Sequence, residues 1–405
     1  MAKTYDIYKD SGVVWIGEIP SRWKVGLVGR YFDEIKNPNT NQEETNTLQF
    51  KMGNIISKKD GDSKYNPETI EAYNIVEPGT IMINGLNLSF DLISQRVAQV
   101  HEKGVITSTY LALKPKEGMK SDYAKYLLKA YDNNKALHAM GRGLRATLSY
   151  GTFRSEPVLV PSGNEQQSIA TFLDQKCSEI DSLISLQEKM ISELQAYKQS
   201  VITEAVTKGL DPNAKMKDSG IEWIGEIPEK WNRCKIQYLA NLQSGRNLTT
   251  EQISDDGLYP VFGGNGIRGF YHDFSHEGDF VLIGRQGALC GNINYAHDKF
   301  WPTEHAVVCY PQNTYNYIWF GETLRTMNLG QYSLASAQPG LSVERIKQLS
   351  LPVPPLEIQN QIAEFIIQKV EQIDSLISLK RQKIAELKDY KKSIIYEYVT
   401  GKKRV

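Results

Sequence analysis

The chain repeats itself, and the repeat constrains its architecture more than any other feature of the sequence. Asp10-Ser11-Gly12-Val13-Val14-Trp15-Ile16-Gly17-Glu18-Ile19-Pro20 and Trp23 return as Asp218-Ser219-Gly220-Ile221-Glu222-Trp223-Ile224-Gly225-Glu226-Ile227-Pro228 and Trp231, 208 residues on. A second pair, Ile180-Asp181-Ser182-Leu183-Ile184-Ser185-Leu186 and Ile373-Asp374-Ser375-Leu376-Ile377-Ser378-Leu379, is 193 residues apart. The same spacing aligns Pro161 with Pro354, Ile169-Ala170 with Ile362-Ala363, Tyr197-Lys198 with Tyr390-Lys391 and Val206-Thr207 with Val399-Thr400. Between these frames, residues 25–140 and 233–335 barely resemble each other. Duplicated frames with different contents fit a protein whose frames build architecture and whose contents choose different ligands.

Both later frames read as long helices. From Gln166 to about Thr207 there is no Gly or Pro, and Leu173, Cys177, Ile180, Leu183, Ile184, Met190, Ile191, Leu194, Tyr197, Val201 and Ile202 recur at helical spacing. Ile366, Val370, Ile373, Leu376, Ile377, Ile384, Leu387, Tyr390, Ile394 and Ile395 repeat the stripe. About 40 residues of helix make a rod of about 60 Å. Two such stripes are expected to pack together as an antiparallel coiled coil. The interiors read as mixed α/β: Thr80–Ile83, Val105–Thr107 and Phe280–Ile283 as strands, Ser121–Met140 as helix. The expected organisation is one globule over residues 1–162, a helix over 163–209, a second globule over 210–354 and a second helix over 355–405.

With 405 residues the chain suits two or three domains. Its start has no apolar stretch of signal-peptide length and no segment long enough to span a bilayer, which predicts a cytoplasmic protein without membrane contact. Cys177, Cys234, Cys290 and Cys309 lack Cys-x-x-Cys spacing, which disfavours a zinc ribbon or a disulfide framework. The 47 basic and 47 acidic residues balance, so any nucleic-acid partner must meet locally clustered cations or rely on a companion subunit for phosphate contact.

Two variable globules between near-repeated helices resemble the specificity subunit of type I restriction-modification enzymes, over essentially the whole chain. The motifs that carry the resemblance are both Trp-Ile-Gly-Glu-Ile-Pro segments, both Ile-Asp-Ser-Leu-Ile segments, and Gln338-Pro339-Gly340-Leu341-Ser342 leading to Leu351-Pro352-Val353-Pro354-Pro355 and Gln359-Asn360-Gln361-Ile362-Ala363. The first half departs from this pattern at Arg145-Ala146-Thr147-Leu148-Ser149. The resemblance implies that each globule is a target recognition domain for one half of an interrupted, asymmetric site on double-stranded DNA. It also implies that the helices set the gap and dock two modification methyltransferase subunits, and through them restriction/translocase subunits. S-adenosylmethionine, ATP and Mg would belong to those partners, and this chain would need no cofactor and hold no catalytic residue. A rigid spacer agrees with half-sites roughly 10 to 20 base pairs apart. The rival from another class is a two-headed adaptor for proteins or glycans.

Arg, Asn and Gln read base edges best, because they pair with guanine or adenine through two hydrogen bonds. On polar or Gly-rich segments of the first globule these considerations select Asn84, Asn87, Arg96, Ser108, Arg142 and Arg145; in the second they select Asn265, Arg268, Arg285, Gln286 and Gln338. Gly264-Asn265-Gly266-Ile267-Arg268-Gly269 has Gly-x-Gly-x-x-Gly spacing, but Phe270-Tyr271-His272-Asp273-Phe274 does not read as the helix a dinucleotide site needs after its glycines. Trp15, Trp23, Trp223 and Trp231, lying in the repeated frame, are expected to anchor structure, and Lys402-Lys403-Arg404 to be a solvated tail.

Overall fold

The repeated Trp-Ile-Gly-Glu-Ile-Pro segment folds as a β-hairpin in each half. Tyr8–Asp10 pairs with Glu18–Pro20, and Met216–Ile221 with Gly225–Pro228, both antiparallel. The computed structural model describes all residues but 1–3, 52, 59–69, 142–145, 222, 288 and 334–339. Two compact units result, one of residues 1–187 with 382–405 and the other of 188–381.

The long helices run over Gly163–Lys208 and Leu356–Val399, and each gives one half to each unit. They are not separable from the globules, because their apolar faces complete both cores. Leu173, Cys177, Ile180 and Ile184 share the first core with Ile394, Ile395, Tyr398 and Val399. In the second, Ile202, Ala205 and Val206 lie with Ile362 and Ile366. Within each unit the two segments run antiparallel. In the first, the Phe172 and Tyr398 rings are 4.4 Å apart while Asp181 meets Lys391; in the second, Lys198 meets Asp374.

The apolar stripe read from the sequence divides into two faces. Leu183 and Leu376 remain 46% exposed, and Tyr197 and Tyr390 55%. Successive residues of a helix are about 100° apart, so Leu183 turns away from the side that Ile184 buries.

Each unit closes its frame in the same way. Trp23 is fully buried and donates through Nε1 to Glu165 at 3.3 Å. Gly401, just past the end of the second long helix, has positive φ, and a Cβ there would stand 2.3 Å from Pro20 Cδ and 3.2 Å from the Trp23 ring. Gly209, just past the first long helix, approaches Trp231 and Pro228 likewise. The tryptophans are therefore the seats on which the helix ends rest. Lys402-Lys403-Arg404 is correspondingly not a solvated tail: Lys402 donates to the Glu18 carbonyl, Lys403 pairs with Glu397 at 2.8 Å, and Arg404 lies over the Tyr5 ring.

Both units also build the same four-stranded antiparallel sheet. Its order is Phe32–Glu34, Leu111–Pro115, Ile81–Ile83, Val97–Gln99 in the first. In the second it is Ala240–Ser244, Ala306–Pro311, Phe280–Gly284, Ile293–Ala296. Helices Ser121–Asn133 and Tyr317–Thr326 come next in the chain, and buried Gln166 and Gln359 fasten their starts. Gln166 accepts from Lys120 N and donates to Pro161 O, just as Gln359 accepts from Asn316 N and donates to Pro354 O. The units differ in what is added: the second carries a further sheet that includes Tyr259–Gly263 and Gly266–Tyr271.

Candidate nucleic-acid interface

Asn84, Asn87, Arg96 and Ser108 of the first unit, and Arg285 and Gln286 of the second, collect at one end of the equivalent sheets. In the first unit Leu111 is paired with Ile83, and Ile83 with Val97. The turn bearing Ser108 and the connection bearing Asn84, Asn87 and Arg96 thus emerge together. In the second, Ala306 is paired with Gly284 and Val307 with Ser244, so the loop bearing Arg285 and Gln286 leaves at the corresponding end.

The segment after Arg145 and Gln338 docks on this loop through one repeated bond. Leu148 N donates to Gly85 O at 2.9 Å, and Leu341 N donates to Arg285 O at 2.9 Å. Ser149 and Ser342 then cap the short helices Tyr150–Phe153 and Val343–Gln348. The match between the two Leu-Ser pairs explains why both sequences keep them although the preceding residues differ. Arg142, Arg145 and Gln338 themselves lie outside the described residues.

Arg96 is a correction. It is 1% exposed, and its guanidinium donates to four backbone carbonyls: Asn84 at 3.1 Å, Leu86 at 2.7 Å, Asn87 at 3.4 Å and Asp91 at 2.6 Å. Its own N–H donates to Asp132 at 2.7 Å. A buried cation whose Nη1 and Nη2 are spent on carbonyls shapes the loop, and its remaining donor, Nε–H, is itself buried, where it cannot reach a base. Asp91 accepts from Ile93 N and Ser94 N, and bonds from Ser94 lead the interactions that lower its pKa to about 2. Asn84 is half-buried with Oδ1 accepting from Leu86 N, whereas Asn87, at φ 53°, and Ser108 are exposed.

In the second unit Asn265 and Gln286 are exposed and Arg285 is half-exposed. The Gly-rich segment is a tight hairpin turn, so Arg268 lies in the strand Gly266–Tyr271 and not on a loop, and no helix continues from the glycines. The turn abuts the loop: a Cβ on Gly284 would lie 2.0 Å from Gly264 O, a distance only glycine permits. Asn292 Nδ2 donates to Asn265 Oδ1 at 2.6 Å, and Arg285 Nη1 to Ser244 Oγ at 3.1 Å. Sequence reasoning missed exposed Arg246, whose N–H donates to Pro302 O at 2.9 Å beside Ser244; its Ser-Gly-Arg context was the available signal. Arg246 and burial together lower the pKa of His276, with burial the larger cause.

The two units thus share a sheet and a docked loop and differ in the chemistry that the loop carries. Residues 228–389 match the family described as type I restriction modification DNA specificity domain. The EcoprrI specificity subunit of Escherichia coli is 41% identical over 138 residues, a stretch that spans 33% of this chain and 34% of that protein. The MjaVIII specificity subunit of Methanocaldococcus jannaschii is 25% identical over 335 residues, 75% of each chain. Among solved structures, a chain from a study of assembly and conformational transition of the type I R-M system superposes with TM-score 0.72 at 13% identity, covering 94% of this chain and 98% of that one. The HsdS subunit from Thermoanaerobacter tengcongensis superposes at 0.53 with 14% identity, over 95% and 98%. Residues 228–389 thus match the DNA specificity domain of type I restriction-modification systems, and longer stretches of the chain are similar to specificity subunits of such systems. Among the described residues, no helix is long and apolar enough to cross a membrane.

Proposed function

We propose that this chain is the non-catalytic DNA-reading subunit of a cytoplasmic type I system, with each unit reading one half of an interrupted, asymmetric site. The observation that carries the reading is the shared hairpin loop, docked by Leu148 N on Gly85 O and by Leu341 N on Arg285 O, yet occupied by unrelated residues. A shared scaffold with different base-facing chemistry is what two different half-sites require. Asn87 and Ser108 in the first unit, and Asn265, Arg285 and Gln286 in the second, are the contacts assigned to DNA.

Two modification subunits dock on the repeated helical frames, and restriction subunits join through them. The support is an exposed apolar patch that occurs once in each unit. Leu183, Leu186 and Tyr390 flank the Asp181–Lys391 pair, and Leu376, Leu379 and Tyr197 flank the Asp374–Lys198 pair. Identical patches suit identical partners. S-adenosylmethionine, ATP and Mg are assigned to those partners.

Adenine-methylation mapping of the host genome with and without the gene tests the reading. Loss of methylation at one interrupted, asymmetric motif is expected. An unchanged map in a host with an active modification subunit sinks it.

A further inference from the structure

Residues 84–96 of the first unit form a loop fastened from beneath and apolar on top. Below, Arg96 holds four of its carbonyls, Leu88 is fully buried, and Lys135 Nζ donates to Leu92 O. Above, Phe90 is 78% exposed, Leu92 56% and Ile93 93%. Three large apolar side chains on one exposed tip mark an interaction surface. Because the loop is already ordered, little further entropy is lost when it binds.

The repeat distinguishes what the tip meets. A partner present in two copies should find the same surface in both units, as it does at Leu183 and Leu376. Among the described residues the apolar tip is not repeated: the corresponding loop of the second unit is shorter and presents Arg285, Gln286 and Leu289. The tip therefore belongs with what differs between the two units, which is the DNA half-site. On the major-groove edges of the bases the apolar group is the thymine C5-methyl.

We propose that Phe90 and Ile93 read thymine methyl groups in the half-site bound by the first unit, so that this half is recognised in part by apolar contact. The inference rests on the reading that each unit takes one half-site, and it goes beyond that reading by naming the base and the group contacted.

The test uses the full chain assembled with its modification subunit, and duplexes carrying the mapped site with each thymine replaced in turn by uracil, which lacks the methyl. For the wild type, at least one replacement in one half-site should weaken binding about fourfold, the worth of one buried methyl. The Phe90→Ser/Ile93→Ser variant should bind the thymine and uracil duplexes equally, with its melting temperature and its assembly with the modification subunit unchanged. Wild-type binding that ignores uracil in both half-sites overturns the proposal, as does a variant that still discriminates. A variant that loses the modification subunit also overturns it, making the tip a protein contact. If the wild-type complex binds no interrupted duplex at all, the half-site reading itself has failed, and the proposal with it.

Discussion

Lys391 Nζ donates to both carboxylate oxygens of Asp181 at 2.7 Å, joining the two long helices in the first unit. The repeat carries Lys391 onto Lys198 and Asp181 onto Asp374, and those residues meet at 2.8 and 2.9 Å in the second unit. One ion pair is thus written twice and sets the same antiparallel register in both units. The carboxylates are half-exposed, so a double-mutant cycle on Lys391 and Asp181 should return a coupling of about 0.2–1 kcal/mol that declines with salt. A coupling of zero at low salt would remove the pair from any role in register.

Arg96→Met should destabilise the first unit by about 3 kcal/mol, because four loop carbonyls lose a buried cationic donor together. Chemical denaturation measures the loss, and binding to the mapped duplex should weaken as the loop loses its shape. A variant as stable as wild type would show that the clamp is dispensable.

Trp23→Ala and Trp231→Ala should each cost about 3–5 kcal/mol, since each removes the seat of a helix end. Hydrogen exchange should localise the first to residues 1–187 and 382–405 and the second to 188–381. Uniform loss of protection across both units after either substitution would contradict this assignment.

Lys129 has its pKa lowered to about 8, first by burial and then by Lys391 and Lys125, with Cys177 and Asp181 opposing the shift. The unfolded chain therefore binds the extra proton between about pH 8 and the ordinary value of 10.5, and stability from this group rises with pH across that window. Lys129→Met should accordingly melt higher than wild type at pH 7, with the difference shrinking toward pH 10. A difference independent of pH would place the effect in packing.

Leu183→Glu should remove one of two modification subunits from the assembled complex, and Leu183→Glu/Leu376→Glu both, as read by native mass spectrometry. Retention of both partners by the double variant would exclude the repeated patch as their docking surface.

The double frame, the long helices, the strands Ile81–Ile83 and Phe280–Gly284, and the structural role of Trp23 and Trp231 were all legible in the amino-acid order. They depend on repetition, side-chain period and breaker residues, which act over short stretches of chain. That Arg96 turns inward was not legible, because its carbonyl partners and Asp132 come together only when the loop folds over the helix Ser121–Asn133. The same holds for Arg268 lying in a strand, for the tying down of Lys402-Lys403-Arg404, and for Leu183 and Tyr197 facing away from the core. Period shows which residues of a helix are apolar. Which of them is covered depends on contacts between residues far apart in the chain.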